Sequence, residues 1–447
     1  MSVIDKKYPE RYDTPKEPFA LDIEDLGNFV YDMQHCIKCK GCYWVDHTYM
    51  PGMKHSVRCP SNLWKEFDSY GAFGKMRIGL KLQEGKIQWT DHLLELIYAD
   101  PLCGACDVGC KRNLDLEVGL TLEALRVKAV QDGAGPLAVH KEISAKIAET
   151  GNCYGAKKDR RAWMDESVQP AEKADIMYFA GCSSSYENGG VARAVTQVMQ
   201  SAGIPYMLME DETCCGNIVF SVGMVDEARK IAEKNVEKVR KSGAKVLMTG
   251  CAECYRMWKV DYPKLLNIPT EDLGFEVKHF IEVADEALTE GKLRLTKPVN
   301  RRIAYHDACN VSRNCDPWEP YEGERGWMGT VEPRLARRRG RSGLYEQARN
   351  LLRAVPGIDL AEMPRMKENS LCCAGGRGTK QAFPELAEFA ARDRLEEVKY
   401  VGAETVVSAC PWCRSNFDET AKKDGEKIGV LDIAELLSMS AGTAGEK

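Results

Sequence analysis

A chain of 447 residues with 44% hydrophobic and 29% charged residues is long enough for two or three domains, each with its own core. A net charge of −5 excludes a general nucleic-acid binder, which needs a basic face. Nineteen cysteines grouped as C-x-x-C and Cys-Cys argue against a disulfide framework and predict metal ligation in a reducing, cytoplasmic compartment. No signal-peptide core and no apolar run of about 18 residues is seen, so any membrane contact is expected through a partner chain.

Residues 1–30, dotted with Pro9, Pro15 and Pro18, read as an extended arm. Within residues 31–150 comes Cys36-Ile-Lys-Cys39-Lys-Gly-Cys42, then sixteen residues, then Cys59-Pro60. Bacterial-type ferredoxins use C-x2-C-x2-C-x3-C-P, in which the fourth thiolate serves the other cluster. Here the last gap is longer, and its His47 and His55 read as loop residues before ligands. The companion segment, Asp100-Pro-Leu-Cys103-Gly-Ala-Cys106-Asp-Val-Gly-Cys110, has Asp100 where the first cysteine would stand. Crossing the fourth ligands predicts one 4Fe-4S cubane on Cys36, Cys39, Cys42 and Cys110. A second site falls on Cys59, Cys103 and Cys106. It is read as a 4Fe-4S cluster ligated by Asp100, a 3Fe-4S cluster, or a 4Fe-4S cluster with an open iron, since a carboxylate suits such iron less well than sulfur. The bland role for Asp100 is to cap a turn before Pro101. Helical periodicity over residues 91–99 and 116–131 makes this an α-helical, ferredoxin-like domain. A linker, residues 151–174, opens at Gly151-Asn-Cys153-Tyr-Gly155, where Cys153 has no C-x-x-C neighbour and reads as a spare or buried thiol.

The rest alternates strand and helix twice, which predicts two α/β repeats at 175–295 and 296–447. Strands are expected at 176–180, 204–209 and 244–249, with helices at 191–202 and 227–241. The second copy has strands at 302–306, 358–363 and 405–408, helices at 343–354 and 385–400, and a terminal helix at 430–439. Five cysteines recur in one order: Cys182, Cys214, Cys215, Cys251 and Cys254, then Cys309, Cys372, Cys373, Cys410 and Cys413. All fall just past predicted strand ends, where parallel α/β sheets place their ligands. Five thiolates per set exceed the four of a structural zinc site, and the adjacent pair suggests bridging, or ligation of two irons in an extended cluster. The second copy carries an insertion, 314–342, with Arg334, Arg337, Arg338, Arg339 and Arg341. It reads as a solvated loop, a grip on an acidic partner, or a clamp for an anionic group. Cys315 has no assigned role. Gly375-Gly376-Arg-Gly378 lacks phosphate-loop spacing and is expected to let backbone pass near Cys372 and Cys373.

These ten cysteines resemble the paired CCG domains of heterodisulfide reductase catalytic subunits, and the N-terminal half is similar to the two-cubane subunit of that enzyme. The fused layout resembles its membrane-linked form, the sulfite-reduction-associated redox subunit, and the CCG-pair subunit of class II benzoyl-coenzyme A reductase. The resemblance implies a noncubane 4Fe-4S cluster on each five-cysteine set. It also implies electron flow from the cubanes to a disulfide or thiol-type substrate within a larger complex. The alternative is an electron relay without its own substrate, feeding an aromatic acyl-CoA reductase or a 2-hydroxy-acid oxidase. No flavin or nicotinamide fingerprint is present, so a flavoprotein, a ferredoxin-like protein or a membrane cytochrome is the expected partner. His306, three residues before Cys309, is the candidate acid–base group, with a packing role as the alternative.

Overall fold

Short apolar strands flanked by amphipathic helices can bury both faces only as a parallel sheet between helix layers, and each repeat folds this way. The computed structural model describes residues 22–45, 53–110, 116–318 and 340–442, together with a strand pair at 324–325 and 331–332. The first sheet comprises β1 (Ile176–Phe179), β2 (Met207–Leu208), β3 (Val246–Thr249) and β4 (Glu276–His279), in the order β2-β1-β3-β4. After β5 (Arg301–His306), the insertion carries an antiparallel pair, β6 (Glu324–Arg325) and β7 (Val331–Glu332). Then β8 (Ile358–Ala361), β9 (Thr405–Ser408) and β10 (Gly429–Asp432) complete the second sheet, in the order β8-β5-β9-β10. All pairings in the two large sheets are parallel. The repeats thus share one topology, with the order reversing beside the first strand and opening a crevice at the carboxyl ends.

Three expectations need correcting. The strand foreseen at 204–209 pairs only at Met207–Leu208, because Pro205 interrupts it and has no N–H to offer a ladder. The terminal helix begins later, at Ile433–Ser440, and the residues before it form β10. Its start is set by a capping box in which Asp432 accepts from the backbone and Glu435 returns to the Asp432 N–H. The same device, His279 with Glu282, starts the helix Phe280–Thr289 after β4, and neither of these two elements is foreseen from the sequence. Finally, the end of the arm is not extended: Leu26–Phe29 forms a 3-10 turn leading into the helix Val30–His35, and Ile23, Leu26 and Phe29 are buried.

The repeats pack reciprocally. Helix Gly189–Ser201 of the first meets Ile433–Ser440 of the second, and Phe280–Thr289 of the first meets Tyr345–Ala354 of the second. Arg414 joins them by pairing with Glu435 at 2.7 Å and donating to Asn188 Oδ1 at 3.1 Å, while Asn188 donates to Ser415 Oγ at 2.8 Å. The N-terminal part is helical, with Ala72–Gln83, Asp91–Tyr98, Val118–Gln131 and Ala138–Thr150 sharing the apolar core of the repeats. It is anchored by buried polar contacts. Arg126 donates to Ile97 O and, at 2.8 Å, to Ser221 O, and Arg256 pairs with Glu123 at 2.6 Å. Breaking one such buried pair costs about 3–5 kcal/mol. Among the described residues no helix is long and apolar enough to cross a membrane. His47 and Arg334, Arg337, Arg338 and Arg339 lie outside the described residues, and Arg341 N donates to Asp316 Oδ2 at 2.8 Å.

Candidate metal centres

Cys36, Cys39, Cys42 and Cys110 line one cavity, walled by Phe73, Met76, Leu116 and Val118. The first three are gathered by a loop in which Lys38 and Lys40 adopt left-handed backbone (φ 57° and 61°). That winding turns N–H groups toward sulfur: Gly41 N donates to Cys39 Sγ at 3.5 Å, and Lys38 N to Cys36. Arg58 ties the loop by donating to Gly41 O, and its other nitrogen reaches Asn369 Oδ1 at 3.0 Å. Burial and the neighbouring Cys59 push the Cys42 thiol up to about 12.

Cys59, Cys103 and Cys106 gather around Asp100, whose charge each of the three thiols feels. The Asp100 carboxylate is itself engaged. Oδ1 accepts from Leu102 N at 2.8 Å and Oδ2 from Lys75 Nζ at 2.6 Å. Lys75 is fully buried and also donates to Tyr70 O at 2.8 Å. Although burial opposes ionisation, Lys75 and Arg126 hold Asp100 below the usual carboxylate range. This is the turn-capping role extended by a buried ion pair, beside the three thiols of the set. His55, buried with its edge toward Tyr400, lies with Asp393 and Glu397, their donor atoms within 4.8 Å. Arg365 and Arg394 already neutralise those carboxylates, so a cation finds no net charge there.

The two five-cysteine sets lie at the carboxyl ends of the two sheets. In the second, Cys309, Cys372, Cys373, Cys410 and Cys413 all line one cavity, with Cys372–Cys309 at 3.9 Å and Cys373–Cys413 at 3.2 Å. In the first, Cys215 and Cys254 lie 3.5 Å apart, and Cys182, Cys214 and Cys251 contact members of the set. Cys251 and Cys410 each stand at the N-cap of a helix, where the dipole favours thiolate. Backbone N–H groups support the paired cysteines: Gly216 on Cys214 at 3.4 Å, Ala374 on Cys372 and Gly375 on Cys373 at 3.3 Å. Hydrogen bonds from Cys372 and Cys413 hold Cys373 well below the ordinary thiol range despite burial. His306 accepts from Arg394 Nε at 3.2 Å on Nδ1 and faces Cys373 and Cys413. Burial lowers its pKa, which keeps the ring neutral.

Three contacts join the sets. Cys103 meets Cys372, Cys251 meets Cys410, and Glu253 of the first repeat reaches into the second cavity. Gly376 permits that last approach, since a Cβ there would lie 1.7 Å from Glu253 Oε1. Burial and the nearby Cys410 push Glu253 up to about 8.

Sequence reasoning missed the cations around this junction. Arg313 is buried, donates to the carbonyls of Cys103 (2.6 Å), Glu368 (3.1 Å) and Ser370, and also faces the Cys103 thiol. The buried Arg377 donates to Leu102 O at 2.9 Å and Asn310 Oδ1 at 2.8 Å. Arg313 Nη2 and Arg377 Nε have no hydrogen-bond partner among the described residues. Buried cations without a carboxylate partner are costly unless another anion stands by. Free thiols converging on them fit an anionic iron–sulfur cluster, and all nineteen cysteines are unbridged.

The cysteine-rich CCG domain family matches the chain twice, over residues 176–259 and 335–418. The chain is 29% identical over 435 residues to a subunit of the dihydromethanophenazine:CoB–CoM heterodisulfide reductase of Methanosarcina barkeri, covering 95% of this chain and 98% of that protein. It is 26% identical to a subunit of the fumarate reductase (CoM/CoB) of Methanothermobacter marburgensis, over 91% of this chain and 72% of that one. EtfAB:quinone oxidoreductase of Syntrophomonas wolfei matches at 24% identity over 62% of this chain and 37% of its own length. With its repeated cysteine sets and its near full-length likeness to the Methanosarcina reductase chain, the protein carries two cysteine-rich CCG domains and is similar to iron–sulfur oxidoreductase subunits of the heterodisulfide reductase type.

Proposed function

We propose that this subunit carries electrons from N-terminal clusters to the two CCG sets, entering at the second, and reduces a disulfide or thiol-type substrate within a larger redox complex. The contact of Cys103 with Cys372 carries the reading, because it joins the ferredoxin-like segment to the second repeat. Clusters of this kind, when bound, accept and pass single electrons. Cys36, Cys39, Cys42 and Cys110 would hold a 4Fe-4S cubane. Cys59, Cys103 and Cys106 would hold a second cluster with three thiolates, and each five-cysteine set a noncubane 4Fe-4S cluster.

The surrounding residues position and insulate this route. Arg313 and Arg377 hold positive charge at the junction, which favours the reduced, more negative state there. His306, kept neutral and oriented by Arg394, serves as a hydrogen-bond donor toward ligand sulfur rather than as an acid that changes charge. Burial of both five-cysteine sets, only Cys309 being partly exposed, excludes water from the exchange. Two-electron donors would enter through a partner such as a flavoprotein or membrane cytochrome.

Rapid-mixing reduction of the anaerobically purified protein tests the route. In Cys103→Ser, the Cys36–Cys110 signal should appear at the wild-type rate while the CCG signals lag. Equal rates for all signals in that variant would remove Cys103 from the path. Turnover of a heterodisulfide by the assembled complex separates the substrate-reducing role from a relay.

A further inference from the structure

The linker brings a sixth thiol to the first CCG set. Residues 151–156 fold around Asn152, which is fully buried. Its Oδ1 accepts from Tyr154 N at 3.1 Å and Ala156 N at 3.0 Å, and its Nδ2 donates to Ala156 O at 2.9 Å and Thr150 O at 3.2 Å. Cys214 N donates to Gly151 O at 2.7 Å, which ties this turn to the Cys214-Cys215 loop. Tyr154 stacks on Trp412 of the second repeat, with centroids 6.0 Å apart and rings 11° from parallel. Its hydroxyl donates to Glu187 at 3.0 Å. Held from both sides, and two residues from the Gly151 carbonyl that Cys214 N grips, the Cys153 sulfur lies near both Cys182 and Cys214.

A spare cysteine can simply pack as a small apolar residue. Cys315 shows how that looks in this protein: it is fully buried, and its sulfur donates to Ser312 O at 3.0 Å and Ser342 O at 3.5 Å. Cys153 differs in both respects. It faces two thiols of a ligand set, and it is partly exposed where Cys182 and Cys214 are buried, so it closes the set on the solvent side. The Arg160 guanidinium, paired with Glu212 at 2.8 Å, also reaches Cys182 Sγ at 3.6 Å.

We propose that Cys153 is a further ligand of the first cluster, where its thiolate would add to the five of the repeat. The thiol proton leaves to solvent on coordination, and no electron is transferred. This rests on the first set holding an iron–sulfur cluster. Its consequence concerns substrate: a position filled from within the chain is closed to an incoming sulfur, so thiol-type substrates bind at the second set.

The test uses the anaerobically purified full chain with Cys153→Ala, Cys153→Ser and the control Cys315→Ser. Iron and acid-labile sulfide in the wild type come first; their absence would end the cluster reading itself. With clusters present, Mössbauer and EPR spectra of both Cys153 variants should change in one cluster's signals and keep the others, while Cys315→Ser matches wild type. Added 2-mercaptoethanol should shift the Cys153→Ala spectrum toward wild type by filling the vacated position. In the intact wild type, Cys153 should resist iodoacetamide, a measurement that stands even if the variants fail to fold. Spectra of Cys153→Ala that superimpose on wild type would overturn the proposal. So would alkylation of Cys153 in the intact protein with every cluster signal unchanged.

Discussion

The two CCG repeats share strand order, cysteine order and capping boxes, yet their sulfurs sit in different electrostatic surroundings. At the first, the neighbouring cation, Arg160, is neutralised by Glu212 at 2.8 Å. Glu212 in turn accepts from Ala180 N and Gly181 N at 3.0 and 2.9 Å. At the second, Arg313 and Arg377 form no side-chain ion pair among the described residues, and His306 stands beside the sulfurs as a neutral neighbour. The extra thiols differ as well: Cys153 comes from the linker, Cys103 from the helical domain. A duplicated fold fixes where ligands stand. The segments that are not duplicated decide charge, access and connection.

Emptying one set at a time puts the contrast between the repeats under the greatest strain. Cys215→Ser and Cys373→Ser should each lose a different cluster signal and up to about four irons per chain, the content of one 4Fe-4S cluster. Iron analysis with EPR checks it, and loss of the same signal in both variants would deny that the sets are separate sites.

The next effect falls on stability. Asp100→Ala leaves the buried Lys75 ammonium unpaired and should cost about 3–5 kcal/mol, whereas the double change Lys75→Met/Asp100→Leu should recover much of it. Thermal unfolding under argon measures both. Asp100→Ala at wild-type stability but with an altered cluster signal would favour the carboxylate as a ligand over the ion-pair role.

A smaller effect probes the charge contrast. Arg377→Leu should lower the reduction potential of the second set by tens of millivolts, where about 59 mV is tenfold for one electron. Arg160→Leu should move the first set less, because Glu212 already offsets that charge. Redox titration followed by EPR compares them, and equal shifts would contradict the asymmetry.

The smallest effect concerns pH. His140, whose Nε2 meets Gly378 O at 3.1 Å, is held neutral by burial, with its pKa lowered to about 4. The unfolded chain takes up this proton first, near pH 6.5, so stability from the neutral ring is complete above that pH and is lost as pH falls toward 4. The loss is about 1.4 kcal/mol per pH unit inside this window. Between pH 7 and 5, the melting temperature should therefore drop less in His140→Gln than in wild type.

Much of the site was legible before folding was considered. Thiols recur at fixed spacing past apolar strands, and the ferredoxin-like pattern groups Cys110 with Cys36, Cys39 and Cys42, four residues that line one cavity. The Pro205 break and the Asp432–Glu435 box were also visible as residue types, but their consequences depend on which strand needs a ladder partner.

Local periodicity and short-range spacing were enough to define the repeats, the strand ends and the ten recurring cysteines. Chain packing was needed to commit Asp100 to Lys75, to join Cys153 to Cys182 and Cys214, and to bring Cys103 to Cys372 across 269 positions (372 − 103). The physical reason is that charge pairing and sulfur convergence in a buried site are set by what the packed core brings within a few ångströms. No local pattern of residues encodes that meeting.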